Sequence, residues 1–173
     1  MFVSVPVLPF GQHAGRNQAR SMAASTSAKI VVEPPSRLQK NQIIYPPIVL
    51  TIPGHQADPS THFFATAVLV DSSGNVLDAA LSGTTAVTGG FLASGTMAFV
   101  FTDLAILKEG NFRIRIDLYG MVYGDDSGAT LLAQEYTGKI SVKGRPVSPT
   151  KPSRSEKAIL QEVIDCGLAA PFE

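Results

Sequence analysis

At 173 residues the chain is long enough for one domain with a well-buried core, and Cys166 stands alone, which excludes an internal disulfide framework. Fourteen basic residues balance fourteen acidic ones, so no whole-molecule field attracts a polyanion and any nucleic-acid contact has to come from a local patch. Only 16% of residues are charged while 45% are hydrophobic, a composition that leaves apolar surface for a partner, and no run approaches the roughly 20 apolar residues that cross a bilayer.

The opening ten residues, MFVSVPVLPF, are apolar but lack a basic start and carry Pro6 and Pro9, which argues against a secretory signal. Arg16, Arg20 and Lys29 appear before the first acid. That composition is common to mitochondrial transit peptides and flexible leaders, and without an amphipathic stripe residues 1–28 read as a disordered leader. The folded domain is expected over residues 29–171. Residues 29–32 form a β-prone run that Pro34 and Pro35 must end, because proline has no ladder donor. Arg37, Leu38, Gln39, Lys40 and Asn41 read as a polar, basic connection. Pro46-Pro47 then leads into the strand 48–52, which Pro53-Gly54 closes.

Residues 62–70, HFFATAVLV, read as a strand buried on most of its length, followed by a strong turn at 71–75 and an antiparallel return over 76–81. Residues 82–94, rich in Gly and Thr, read as a loop. The clearest signal lies in 99–119: Phe112, Ile114, Ile116 and Leu118 alternate with Arg113, Arg115, Asp117 and Tyr119, the pattern of a half-buried strand. Phe99 and Phe101 precede it in a second strand, with Glu109, Gly110 and Asn111 at the connection. Arg113 and Arg115 are thereby placed on the outer face of this central strand, where charge substitution is expected to leave nucleic-acid binding nearly unchanged. A further strand is expected over 131–142, with Tyr136, Ile140 and Val142 on one face. About seven short strands without βαβ rhythm predict an all-β sandwich.

One helix follows. Ser153-Arg154-Ser155-Glu156 is a capping box, Ile159, Leu160, Val163 and Ile164 make an apolar stripe, and Gly167 sits where a left-handed cap belongs. The helix is expected to pack on the sandwich.

Catalytic chemistry is not evident. Three histidines, at 13, 55 and 62, are few, and no nucleophile elbow, zinc-protease helix motif or phosphate loop occurs. His55, Asp58 and His62 have tolerable metal spacing but are interrupted by Pro59. Asp71, Asp125 and Asp126 read as turn residues, and Cys166 as a packed thiol. The expectation is no catalytic residue, no metal, no cofactor and no small-molecule substrate. The basic positions divide into Arg37 and Lys40 before the strand 48–52, and Lys143, Arg145, Lys151, Arg154 and Lys157 after the last long strand. By composition alone they fit either a solvated surface or contact with a polyanion. Lys143-Gly144-Arg145-Pro146 approximates a minor-groove hook, and Ser148-Pro149 has the form of a phosphorylation site.

Three segments together resemble the velvet domain of fungal transcriptional regulators. Ile43-Ile44-Tyr45-Pro46-Pro47-Ile48-Val49 is similar to the family's proline-rich lead-in to its first long strand. Phe99-Val100-Phe101-Thr102-Asp103-Leu104, followed by Gly110-Asn111-Phe112-Arg113-Ile114-Arg115, resembles its F-x-F-x-D-L and G-x-[YF]-R-[LI]-R motifs. The stretch from Lys143 through the capped helix to Gly167 resembles its basic loop and C-terminal helix. The resemblance implies an immunoglobulin-like (Rel-homology-like) β-sandwich with a C-terminal α-helix. It also implies homo- or heterodimers with another velvet-family protein, binding of double-stranded DNA, location in the nucleus with shuttling from the cytoplasm, and control of development, sporulation and secondary metabolism. The DNA-binding residues it implies here are Arg37, Lys40, Lys143 and Arg145. The dense basic run that family members carry before the lead-in is thinned in this chain, with Lys40 its best match and Arg37 nearby. An interaction subunit that dimerises with a related regulator, but binds little DNA by itself, is therefore the alternative.

Overall fold

The computed structural model describes residues 26–172, so the leader expected over 1–28 lies almost wholly outside the described residues. Two sheets face one another. The first has the order β1 (Lys29–Val32), β3 (Ile48–Ile52), β8 (Met97–Phe101) and β7 (Gly90–Phe91). The second has the order β2 (Arg37–Gln39), β12 (Ile140–Lys143), β10 (Gly110–Val122), β4 (Thr61–Val70) and β6 (Ala86–Thr88), with β11 (Thr130–Tyr136) also on β10. A separate two-stranded sheet pairs β5 (Leu81–Ser82) with β9 (Ala105–Ile106). The architecture is an all-β sandwich with one C-terminal helix, α1 (Arg154–Asp165).

The alternation in β10 does what its pattern predicts. Phe112, Ile114, Ile116 and Leu118 are buried and meet Ile48, Leu50, Ile52, Phe99 and Phe101 from the opposite sheet. Each such side chain contributes about 1.5–3 kcal/mol on leaving water. The two strands read from 99–119 lie in opposite sheets, so the connection between them crosses the sandwich rather than closing a hairpin.

The first sheet is covered on both faces, which explains its near-continuous apolar strands. Ile48, Leu50 and Ile52 point into the sandwich, while Val49, with Val32 and Ala98, meets Leu160 and Val163 of the helix. The capping box is complete: the Glu156 N–H donates to Ser153 Oγ at 3.3 Å and the Ser153 N–H donates to Glu156 Oε2 at 2.7 Å. Gly167 takes φ 70°, the left-handed conformation that ends the helix.

Several expectations need correction. The connection 37–41 contains a strand, β2, running parallel to β12. The return expected over 76–81 is a single bridge from Val76 to Val70; the chain then turns at Ala79, φ 55°, and leaves to join β9. Residues 82–94 contain β6 and β7, one in each sheet, separated by Gly89. A Cβ there would lie 2.7 Å from Met97 Sδ, so only glycine lets the chain cross so close to the core. The strand 131–142 is two strands. Thr137 interrupts it, accepting the Ile114 N–H on its hydroxyl at 2.9 Å and donating its own N–H to the Ile114 carbonyl. The break resets the phase, so Tyr136 is exposed while Ile140 and Val142 are buried. In β4, Phe63, Ala65, Ala67 and Leu69 are buried, whereas Phe64 is only half-buried on the outer face.

Candidate nucleic-acid interface

The basic positions are organised by β2 and β12. In their parallel register Ser141 lies beside Arg37, Val142 beside Leu38 and Lys143 beside Gln39. Leu38 and Val142 are buried, so strand alternation sends Arg37 and Lys143 to the outer face. On β10, Asn111 lies opposite Ser141, and with Phe112 and Ile114 buried, Arg113 emerges on that same face. Arg37, Lys143 and Arg145 are exposed and Lys40 is half-buried.

Lys40 closes the ladder: its N–H donates to the Lys143 carbonyl at 2.8 Å. Asn41 then takes φ 64°, a left-handed conformation asparagine tolerates, and donates its N–H to the Ile106 carbonyl at 2.9 Å. All four residues singled out from the sequence therefore lie on β2, on β12 or within two residues of them. One acid tempers this end, since a Cβ on Gly144 would sit 2.6 Å from Glu109 Oε1.

Arg113 and Arg115, grouped together by alternation, have different surroundings. Arg115 is paired: its Nε and Nη2 each donate to Asp117 at 2.8 Å, and Gln134 Nε2 donates to the same carboxylate at 2.8 Å. Donating these hydrogen bonds to Asp117 raises the guanidinium pKa above its ordinary value, so this charge is fixed and neutralised. Asp117 is buried, and the pair accounts for a carboxylate under the sheet surface. Arg113 instead lines a cleft of about 730 Å³ together with Arg37 and Lys139. Arg113 is thus on the outer face, as alternation predicts, and it shares its cleft with Arg37. The sequence signal was the shared parity of Arg37, Ser141, Asn111 and Arg113, readable only once the strand neighbours are known.

A smaller groove of about 220 Å³ brings the tail back onto the same edge: Val147, Ser148 and Pro149 face Arg37, Gln39 and Tyr45. Ser148 is exposed. Elsewhere on the outer face of the larger sheet, aromatic rings form a ladder. Tyr123 and His62 have centroids 6.5 Å apart, His62 and Phe64 6.1 Å, and Phe64 and Tyr119 5.1 Å at 13°. Met121 and Leu131, beside it, are exposed. Among the described residues no group of three or more His, Cys, Asp or Glu side chains is placed to hold a metal, and no helix is long and apolar enough to cross a membrane.

No family model matches the chain, and no curated protein matches it. Among solved structures, the chain is similar to a cohesin module from a Clostridium perfringens family 33 glycoside hydrolase, at 9% identity over 68% of this chain and 97% of that one, with a TM-score of 0.31. It is also similar to an ASH/PapD-like domain of human CEP192, at 14% identity over 86% of this chain and 99% of that one, with a TM-score of 0.33. At these values the likeness carries nothing about function.

Proposed function

We propose that this chain is a velvet-type, Rel-homology-like transcriptional regulator of fungal development and secondary metabolism that works in the nucleus and binds double-stranded DNA as a homo- or heterodimer. The observation that carries the reading is the parallel pairing of β2 with β12, which gathers Arg37, Lys40, Lys143 and Arg145 from two distant stretches onto one edge of the sandwich. None of the four makes an ion pair among the described residues, so their charge is available to phosphates. In a chain of zero net charge, such a local patch is what DNA contact requires.

Support for the dimer comes from the outer face of β4, β10 and β11. Phe64, Tyr119, Met121, Tyr123 and Leu131 place apolar and aromatic surface there, of the kind enriched in the centres of protein interfaces. The thinned basic stretch at Arg37 and Lys40 favours the second reading, an interaction subunit that dimerises with a related regulator and binds little DNA by itself. Light scattering during size-exclusion chromatography, with and without a second velvet-type chain, followed by mobility-shift titration at several salt concentrations, separates the two. DNA binding by the chain alone or in a dimer supports the first reading. A dimer without DNA binding supports the second, and a strict monomer under every condition overturns both.

A further inference from the structure

We infer that the cleft between β2, the start of β10 and the turn after β4 is a seat for a phosphate group, with Arg37, Arg113 and Lys139 as its cationic walls. The three come from three separate elements: Arg37 from β2, Arg113 from β10 and Lys139 from the link between β11 and β12. All three are exposed, and none has a carboxylate within ion-pair distance among the described residues. Three like charges around one concavity repel one another. An anion placed among them converts that repulsion into attraction, and Arg adds a planar fork that matches phosphate oxygens two at a time.

One acid shares the cleft, and its oxygens are committed elsewhere. Asp71 Oδ1 accepts the N–H groups of Ser73 at 2.8 Å and Asn75 at 2.9 Å, while Oδ2 accepts from Asn75 Nδ2 at 3.1 Å. Asp71 thus holds the turn that forms the far wall and keeps its negative charge, so three cations against one carboxylate leave the cleft with a net excess of two positive charges. Asn111 and Ser141, neighbours in the β10–β12 register, line the floor with neutral hydrogen-bonding groups. A concave site with an excess of cations and a polar floor fits a phosphate mono- or diester.

The seat deepens the DNA reading, on which its biological use rests: a backbone phosphate of DNA and a free phosphate offer the same oxygens. It adds Arg113 and Lys139 to the contact surface. Two arms distinguish the sources. In the first, thermal melts of the full chain are recorded with inorganic pyrophosphate, for the wild type, the Arg113→Glu/Lys139→Glu double variant and a Lys29→Glu control on the opposite sheet. In the second, fluorescence anisotropy with a short DNA duplex is measured for the same three proteins.

Pyrophosphate should raise the melting temperature of the wild type and the control, and the rise should vanish in the double variant, since a ligand that binds only the folded state stabilises it. Loss of two charged contacts should weaken anion binding by at least about tenfold. An equal rise in all three proteins, or none in the wild type, overturns the seat. If pyrophosphate binding is lost in the double variant while no protein binds the duplex, the seat stands as a site for a free phosphate ester and the DNA reading falls. If the double variant keeps wild-type affinity for both probes, the seat falls whatever the fate of the DNA reading.

Discussion

The Lys40 backbone N–H donates to the Lys143 carbonyl at 2.8 Å, which fixes two basic residues separated by more than a hundred positions at the end of one parallel strand pair. Neither side chain is needed for that bond. Substitutions at Lys40 and Lys143 therefore remove charge without removing the ladder that positions it.

From this follows the test of the edge patch. Arg37→Ala with Lys40→Ala, and separately Lys143→Ala with Arg145→Ala, should each weaken binding to all duplex sequences alike and lower the slope of log affinity against log salt by about one unit per lost phosphate contact. Salt titrations by mobility shift read both quantities. Unchanged affinity in both double variants, with the wild type binding, removes the patch from the interface. Arg115→Ala is not the matched control for charge alone, because it also strips Asp117 of its partner.

That partnership predicts a stability effect away from the patch. Asp117 is 3% exposed and accepts three hydrogen bonds from Arg115 and Gln134. Asp117→Ala should cost about 2–3 kcal/mol, since it leaves a half-buried guanidinium without its anion. Urea melts of the single variants and the Asp117→Ala/Arg115→Ala pair should give strongly non-additive values.

The helix docks through a short apolar stripe and one capping box. Ser153→Ala should cost about 1 kcal/mol, and Leu160→Ala, which opens space against Val32 and Val49, about 2–5 kcal/mol. A Leu160→Ala midpoint in urea equal to that of the wild type would show the stripe to be unpacked.

Glu156 makes the cap pH-dependent. Burial pushes its carboxyl up, but the Ser153 hydroxyl and N–H and the Glu33 N–H outweigh that and hold its pKa below the usual 4.5. A depressed carboxylate stabilises the fold fully above 4.5 and loses that contribution as pH falls through the lowered value. Glu33 behaves oppositely: partial burial first, and the Glu156 charge after it, raise its pKa, so its contribution favours the fold at low pH and is lost as pH rises through the raised value. The stability difference between wild type and Glu156→Gln should therefore be largest above 4.5 and shrink toward pH 3, measured by urea melts across that range.

Ser148 faces the groove that Arg37 lines. A Ser148→Glu variant should lower duplex affinity by up to about tenfold at low salt and less at high salt, because the added charge opposes a screened, exposed cation. Titrations at two salt concentrations that coincide with the wild type would show that this serine does not act on the patch.

Much of the fold was legible from local pattern. Alternation named the inward set Phe112, Ile114, Ile116 and Leu118, the S-x-x-E sequence named the cap, and Gly167 named the helix end. Each depends on near neighbours in the chain, which is why one sequence carries them. The cation set of the candidate site was only half legible. Arg37, Lys40, Lys143 and Arg145 stand out as basic residues flanking strands, yet nothing local reveals that 37–39 is a strand, because three residues are too few to display a period. Arg113 looked equivalent to Arg115, and the break at Thr137 hid the phase shift between Tyr136 and Ile140. Which face a strand turns outward is written in its own residues. Which other charges share that face is set by hydrogen bonds between strands far apart in the chain, and those bonds run through backbone atoms that every residue has, so only the tertiary structure decided that Arg37, Arg113 and Lys139 line one cleft.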